Sequence, residues 1–280
     1  MMATVVLIRG LMRDKRHWHN FAELLQKSLS DRHSVIALDT LGNGDLVNSL
    51  SPLTIDEYAR ELLERLNYDS SYNNSSDNSD DKYNNCYLVG LSMGGMIALQ
   101  MASLQERALG LASDKSDKSD KSHNRIKSVA VINASAANLS PWHERFRFGA
   151  LFTAFKRRMK GANISAVEAC IIALTSSTQR QNIKLVLSWS QYRAVACTSL
   201  FNGLRQLWAC RQFMSPVALS VPITVLCGRE DKLVSPDCSK KLARYYQSKL
   251  IEFNFAGHDL SLDSPEKLCQ ELIESFSLKP

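Results

Sequence analysis

Short apolar runs of β type alternate with amphipathic helical stretches along most of this chain, and that alternation leaves few folds open. Thr4 to Arg9, Val35 to Leu38, Cys86 to Gly90, Lys127 to Ile132, Ile223 to Cys227 and Leu250 to Phe255 read as strands. Trp18 to Leu29, Thr54 to Leu66, Met93 to Gln105, Pro236 to Tyr246 and Pro265 to Phe276 carry apolar residues at helical spacing. Strand and helix in strict succession predict α/β architecture with a mostly parallel sheet of about six strands. The strands are apolar without much alternation, as expected when helices cover both faces.

Residues 138–215 break the pattern. They hold no strand-like run and several helical ones, with Phe148, Phe152, Phe155 and Met159 recurring at helical spacing. A helical lid inserted after the fourth strand is predicted, set on a core of residues 1–137 and 216–280. Those aromatics are either the lid's own packing face or an inner surface for the apolar part of a substrate. Two low-complexity stretches, Asp69 to Asn85 and Ser113 to Lys121, cannot bury enough apolar surface to order themselves. Each falls after a helix and before a strand, so both are expected at the N-terminal edge of the strands, opposite the ligand-binding edge of an open α/β sheet.

Charge and composition narrow the function classes. A net charge of +6 on 280 residues gives no reason to expect nucleic acid as a partner. Between Asn138 and Ser215, however, eleven Lys or Arg face only Glu144 and Glu168, with Lys156, Arg157, Arg158 and Lys160 crowded together. This excess is either the wet face of helices or a surface for an anionic substrate or an acidic partner. No apolar run approaches the roughly 20 residues needed to span a bilayer, and Met1 to Ile8 lacks the charged region of a signal peptide, so a cytoplasmic chain without membrane partner is expected. Seven scattered cysteines without a close pair point to small buried hydrophobes and to neither a disulfide framework nor a metal site.

Gly90-Leu91-Ser92-Met93-Gly94 lies between an apolar strand and an apolar helix. A nucleophile at such a turn needs a strained backbone and no side-chain bulk two residues to either side, and the helix N-terminus favours developing negative charge. A serine hydroxyl also needs a base, itself oriented by a carboxylate. Asp231 follows the fifth strand in Gly228-Arg229-Glu230-Asp231, and His258 follows the sixth in Ala256-Gly257-His258. Parallel strands would bring Ser92, Asp231 and His258 to one sheet edge. His33 and His123 fall at the opposite edge, while His17, His19 and His143 read as surface residues of the first helix and the lid.

In these motifs the chain resembles the lid-bearing serine hydrolases of the α/β-hydrolase superfamily. Further matches are Arg9-Gly10-Leu11 after the first strand, where the family commonly has His-Gly, Asp39-Thr40-Leu41-Gly42-Asn43-Gly44 after the second, and Ser264-Pro265-Glu266 after the histidine. Arg9 in place of histidine and Leu46 where a serine is frequent are the departures. The resemblance implies an oxyanion hole from the backbone N–H groups of Leu11 and Met93. It also implies acyl transfer on a small-molecule ester, with no metal and no cofactor. The leading expectation is a hydrolase for carboxylic esters of small or medium acyl groups. The basic lid also fits a carrier-protein-linked acyl methyl ester esterase of the pimeloyl type, which would dock an acidic acyl carrier protein. A non-catalytic binding protein on the same fold is the remaining alternative.

Overall fold

The computed structural model describes residues 2–72, 85–113, 126–147, 161, 163–217 and 219–278. Six strands, β1 (Thr4–Ile8), β2 (Ser34–Leu38), β3 (Cys86–Leu91), β4 (Ile126–Ile132), β5 (Ile223–Gly228) and β6 (Lys249–Phe253), form one parallel sheet in the order β2-β1-β3-β4-β5-β6. The helices are α1 (Phe21–Ser28), α2 (Ile55–Tyr72), α3 (Met93–Ser113), α4 (Trp142–Arg145), α5 (Ile164–Thr175), α6 (Ile183–Val195), α7 (Leu200–Gln212), α8 (Pro236–Tyr245), α9 (Leu260–Asp263) and α10 (Pro265–Ser275). This is the parallel α/β sheet that the strand and helix pattern predicts, and the fold that the resemblance to the α/β hydrolases implies.

Side chains alternate across each strand, so one sequence builds two cores. Val5, Leu7, Val89 and Leu91 face Trp18, Phe21 of α1, and Leu268 and Leu272 of α10. Val6, Ile8 and Leu88 face Tyr58 and Leu62 of α2, Ile97 and Met101 of α3, and Leu242 of α8. The chain steps outward from β1 to β2 and then returns past β1 to β3. Helices therefore leave β1 and β3 toward opposite faces, and a crevice opens beyond their carboxyl ends, the usual ligand site of such sheets.

Between β4 and β5 the described residues form helices α4 to α7 and no strand. Asn163, Asn182 and Ser199 start α5, α6 and α7 by accepting hydrogen bonds from the backbone N–H three residues on. Ile172, Leu185 and Trp189 make a small core with Leu262 of α9, which attaches this segment to the chain just past β6. The segment containing Phe148, Phe152, Phe155, Lys156, Arg157, Arg158 and Lys160 lies outside the described residues.

Several expectations shift. β6 ends at Phe253, two residues early, because Phe255 takes a left-handed φ of 58° and stands exposed, turning the chain toward His258. Helices α2 and α3 run past Leu66 and Gln105, to Tyr72 and Ser113. Residues 73–84 and 114–125, which hold most of the two low-complexity stretches, lie outside the described residues. Five cysteines are buried as small hydrophobes, whereas Cys170 is half-buried and Cys197 exposed on the helical segment. His19 and His143 are exposed as expected. His17 is not: it is buried, for reasons that belong to the site.

Candidate active site

Ser92 sits between β3 and α3 with a φ of 58°. A left-handed backbone at a non-glycine residue costs about 1–3 kcal/mol, so the surroundings must hold it. Its N–H donates to the Ile132 carbonyl at 2.7 Å, and its carbonyl accepts from Gly95 N–H at 3.0 Å. The flanking glycines are required by contact. A Cβ on Gly90 would lie 2.2 Å from the Gly94 carbonyl oxygen, and one on Gly94 would lie 2.1 Å from that of Ile8. Gly10 is tight to a lesser degree, since a Cβ there would lie 3.0 Å from Ser92 Cβ. This close approach brings the turn after β1, with Leu11, against the serine. Met93, as the first residue of α3, has an N–H with no intrahelical acceptor.

Asp231 and His258 meet in a buried contact. His258 Nδ1 donates to Asp231 Oδ2 at 2.6 Å, while Asp231 Oδ1 accepts from the N–H groups of Leu233 at 2.7 Å and Val234 at 3.0 Å. A carboxylate that only accepts fixes the proton on Nδ1 and leaves the Nε2 lone pair available as a base. The neighbouring Glu230 is exposed and sends its side chain toward Arg180 instead.

The histidine loop is held by residues whose roles the linear pattern does not reveal. Asn133, at the end of β4 with a φ of 49°, donates to the carbonyls of Gly257 at 3.2 Å and His258 at 2.8 Å, and its Oδ1 accepts from Gly228 N–H at 3.0 Å. One side chain thus pins the turn carrying the histidine to the strand carrying the acid. The only sequence cue is an Asn just past a strand, a residue that tolerates the left-handed region. Asp263 does similar work from the other side, accepting from Gly257 N–H at 2.6 Å and from Ser177 N–H and the Thr178 hydroxyl on the helical segment.

Ser92, His258 and Leu11 line one cavity of about 550 Å³. The helical segment supplies Val167, Ile171, Trp189, Leu204 and Leu207 to its wall, so the lining is chiefly apolar. Arg9 also lines it. Its guanidinium pairs with buried Asp259 at 2.5 Å and lies over the Trp18 ring, 4.8 Å from the centroid. Burial alone would raise the Asp259 carboxyl, but the adjacent Arg9 charge holds it below the usual range. A second network starts at Arg13, which donates to Glu168 of α5 at 2.9 Å and stacks 4.6 Å above the Trp189 ring. Arg193 of α6 pairs with the same carboxylate. His17 belongs here and not on the surface: Nε2 accepts from Arg13 at 3.1 Å, Nδ1 faces Asp14 Oδ1 at 3.1 Å, and Trp189 packs on the ring. Burial and the Arg13 charge push its pKa down to about 4. The loop after β2 is tied in as well, because Asn43 Oδ1 accepts from Thr198 and from Gln206 of α7.

A profile of the alpha/beta hydrolase family matches residues 5–271. The chain belongs to that family. As an alpha/beta hydrolase it is 26% identical to the biotin biosynthesis bifunctional protein of Teredinibacter turnerae, over 98% of this chain; it spans 44% of that relative's length. The enol-lactonase of Burkholderia xenovorans superposes with a TM-score of 0.69 at 18% identity, covering 99% of this chain and 92% of that one. A thermophilic esterase of Thermogutta terrifontis gives a TM-score of 0.65 at 20% identity, covering 97% and 88%. At such identities the solved structures speak for the fold of this hydrolase. Among its described residues no helix is long and apolar enough to cross a membrane.

Proposed function

We propose that this hydrolase cleaves carboxylic esters of small or medium acyl groups through an acyl-enzyme. Ser92 is the nucleophile, His258 the general base and Asp231 the acid that orients it. The observation that carries this reading is the buried 2.6 Å contact between Asp231 and His258 opening onto the same cavity as Ser92 at its strained turn. In this mechanism His258 Nε2 takes the Ser92 proton as Oγ adds to the ester carbonyl. The N–H groups of Leu11 and Met93 hold the oxyanion, and the alcohol leaves with the proton from His258. Water, deprotonated by the same histidine, then releases the acid and restores the serine. Residues 138–215 act as the lid, and the apolar side chains of α5 and α7 form the acyl pocket.

The 26% identity to a biotin biosynthesis protein supports a second reading, a methyl ester esterase acting on a pimeloyl-type chain borne by an acyl carrier protein. Both are tested with a fluorophosphonate probe and a series of 4-nitrophenyl esters, followed by a carrier-protein-bound methyl ester. Labelling that disappears in Ser92→Ala is expected, as is a large loss of turnover in Asp231→Asn, through the wrong histidine tautomer. If Glu230→Gln were the damaging change, the acid is misassigned. If the intact protein neither labels nor turns over any ester, the hydrolytic assignment of Ser92 fails.

A further inference from the structure

Among the described residues four arginines line the cavity, and three of them are answered by carboxylates: Arg9 by Asp259, and Arg13 and Arg193 jointly by Glu168. Arg145, the last residue of α4, is the fourth. It is 2% exposed, its guanidinium lies 5.3 Å from the centroid of the Phe146 ring, and its nitrogens bond only to neutral oxygens. Nη1 donates to the Arg211 carbonyl at 2.9 Å, Nη2 to the Cys210 carbonyl at 2.5 Å and Nε to Ser135 Oγ at 3.3 Å. Among the described residues no carboxylate is within ion-pair reach. The neighbouring Glu144 turns instead to Lys241 at 2.6 Å. A guanidinium has five N–H donors, and these bonds use one on each nitrogen, leaving one on each Nη.

The two carbonyls belong to the last turn of α7, whose dipole offsets only part of a unit charge. Burial pushes the guanidinium below the usual arginine range, yet an arginine stays charged at neutral pH. A buried cation is normally matched by a partner, and here the wall it occupies faces a cavity. Ser135, its hydrogen-bond partner, also lines that cavity. The adjoining Ala134 Cβ lies 3.1 Å from where Gly95 would carry one, in the turn that follows Ser92. The missing counter-charge therefore fits a ligand, and the apolar remainder of the wall fits a methylene chain.

We infer that the substrate is an ester whose acyl chain carries a second, free carboxylate, and that Arg145 recognises it. This rests on the ester-hydrolase reading above. The second carboxylate takes no part in the bond changes: water adds across the ester, the alcohol leaves, and a dicarboxylate is released.

The test compares 4-nitrophenyl half-esters of hexanedioic and octanedioic acid with 4-nitrophenyl hexanoate and octanoate. The intact enzyme should favour the half-esters in kcat/KM by about tenfold or more. Arg145→Gln, which keeps a donor for the α7 carbonyls, should bring that ratio to near one, chiefly through KM. A residue that merely caps α7 would lower both substrates alike and leave the ratio unchanged, which would overturn the proposal. Should Arg145→Gln fail to fold, inhibition of the intact enzyme by hexanoate and by hexanamide decides: a carboxylate no better than the amide overturns it. Binding to Ser92→Ala separates this inference from the reaction. Titration with hexanedioate, followed by tryptophan fluorescence with Trp189 in the wall, should saturate where hexanediol does not. Saturation without ester turnover in the intact enzyme would keep the anion site and sink the ester chemistry, and a flat titration would sink the anion site.

Discussion

Asn133 shows how a single side chain sets the geometry of the proposed site. It bridges the β5 end, which leads to Asp231, and the loop carrying His258, with three hydrogen bonds to buried backbone groups. Asn133→Ala leaves those groups unsatisfied, at about 1–3 kcal/mol each before water enters. We expect kcat to fall about tenfold or more with KM little changed, because the residue steadies the base and does not touch substrate. Asn133→Asp, which keeps the acceptor for Gly228 and loses the donors, should also be impaired. Full activity in both variants would show that Asp263 suffices to hold the loop. The meeting of Asp231 with His258, and of His258 with Ser92 at one cavity, was legible in the sequence because each residue follows its strand within a few positions. Asn133 was not, since its partners lie more than ninety residues away in the chain. His17 was misread as a surface residue for the same reason, its neighbours Trp189 and Tyr192 coming from α6.

At the scale of elements, the helical segment is attached to the sheet by polar contacts as much as by its small core. Glu168 is fully buried between Arg13, from the loop after β1, and Arg193 of α6. Burial would raise its carboxyl, but the two arginine charges outweigh burial and hold it below the usual range. Glu168→Gln strands two cations, and breaking such buried pairs typically costs about 3–5 kcal/mol. The urea midpoint should drop accordingly, whereas Lys15→Ala, which breaks an exposed pair with Asp45, should scarcely move it. Equal midpoints for Glu168→Gln and the intact protein would mean that the triad is energetically neutral. The helical character of this segment was legible from its lack of strand-like runs, but the helix starts and the way the helices roof the crevice were not. Crossing angles depend on side chains that meet only after folding, such as Trp189 on Arg13.

For the whole molecule, pH dependence follows from the buried groups. His17 titrates near 4 when folded against 6.5 ordinarily, so between those values the unfolded chain binds the extra proton. Its contribution, roughly 3 kcal/mol, is fully present above pH 6.5 and is lost as pH falls toward 4. The urea midpoint of the intact protein should therefore decline across that window more steeply than that of His17→Gln; parallel curves would contradict a neutral buried imidazole. The parallel sheet and the edge that bears the crevice were legible because strict alternation of strand and helix favours parallel pairing with right-handed crossovers, whereas the order of the strands was not. In the same topology β3 starts, at Cys86, on the edge of the sheet away from the crevice. Exchanging residues 73–84 for a short Gly-Ser turn should leave ester turnover within about twofold, since loop closure depends weakly on length. A folded variant with tenfold lower activity would show that this segment reaches the crevice. That polarity has a practical side: a biotinylation tag or surface-coupling peptide spliced between α2 and β3 would fix the enzyme to a bead with its mouth turned outward, so that immobilisation and catalysis occupy opposite poles of the same sheet.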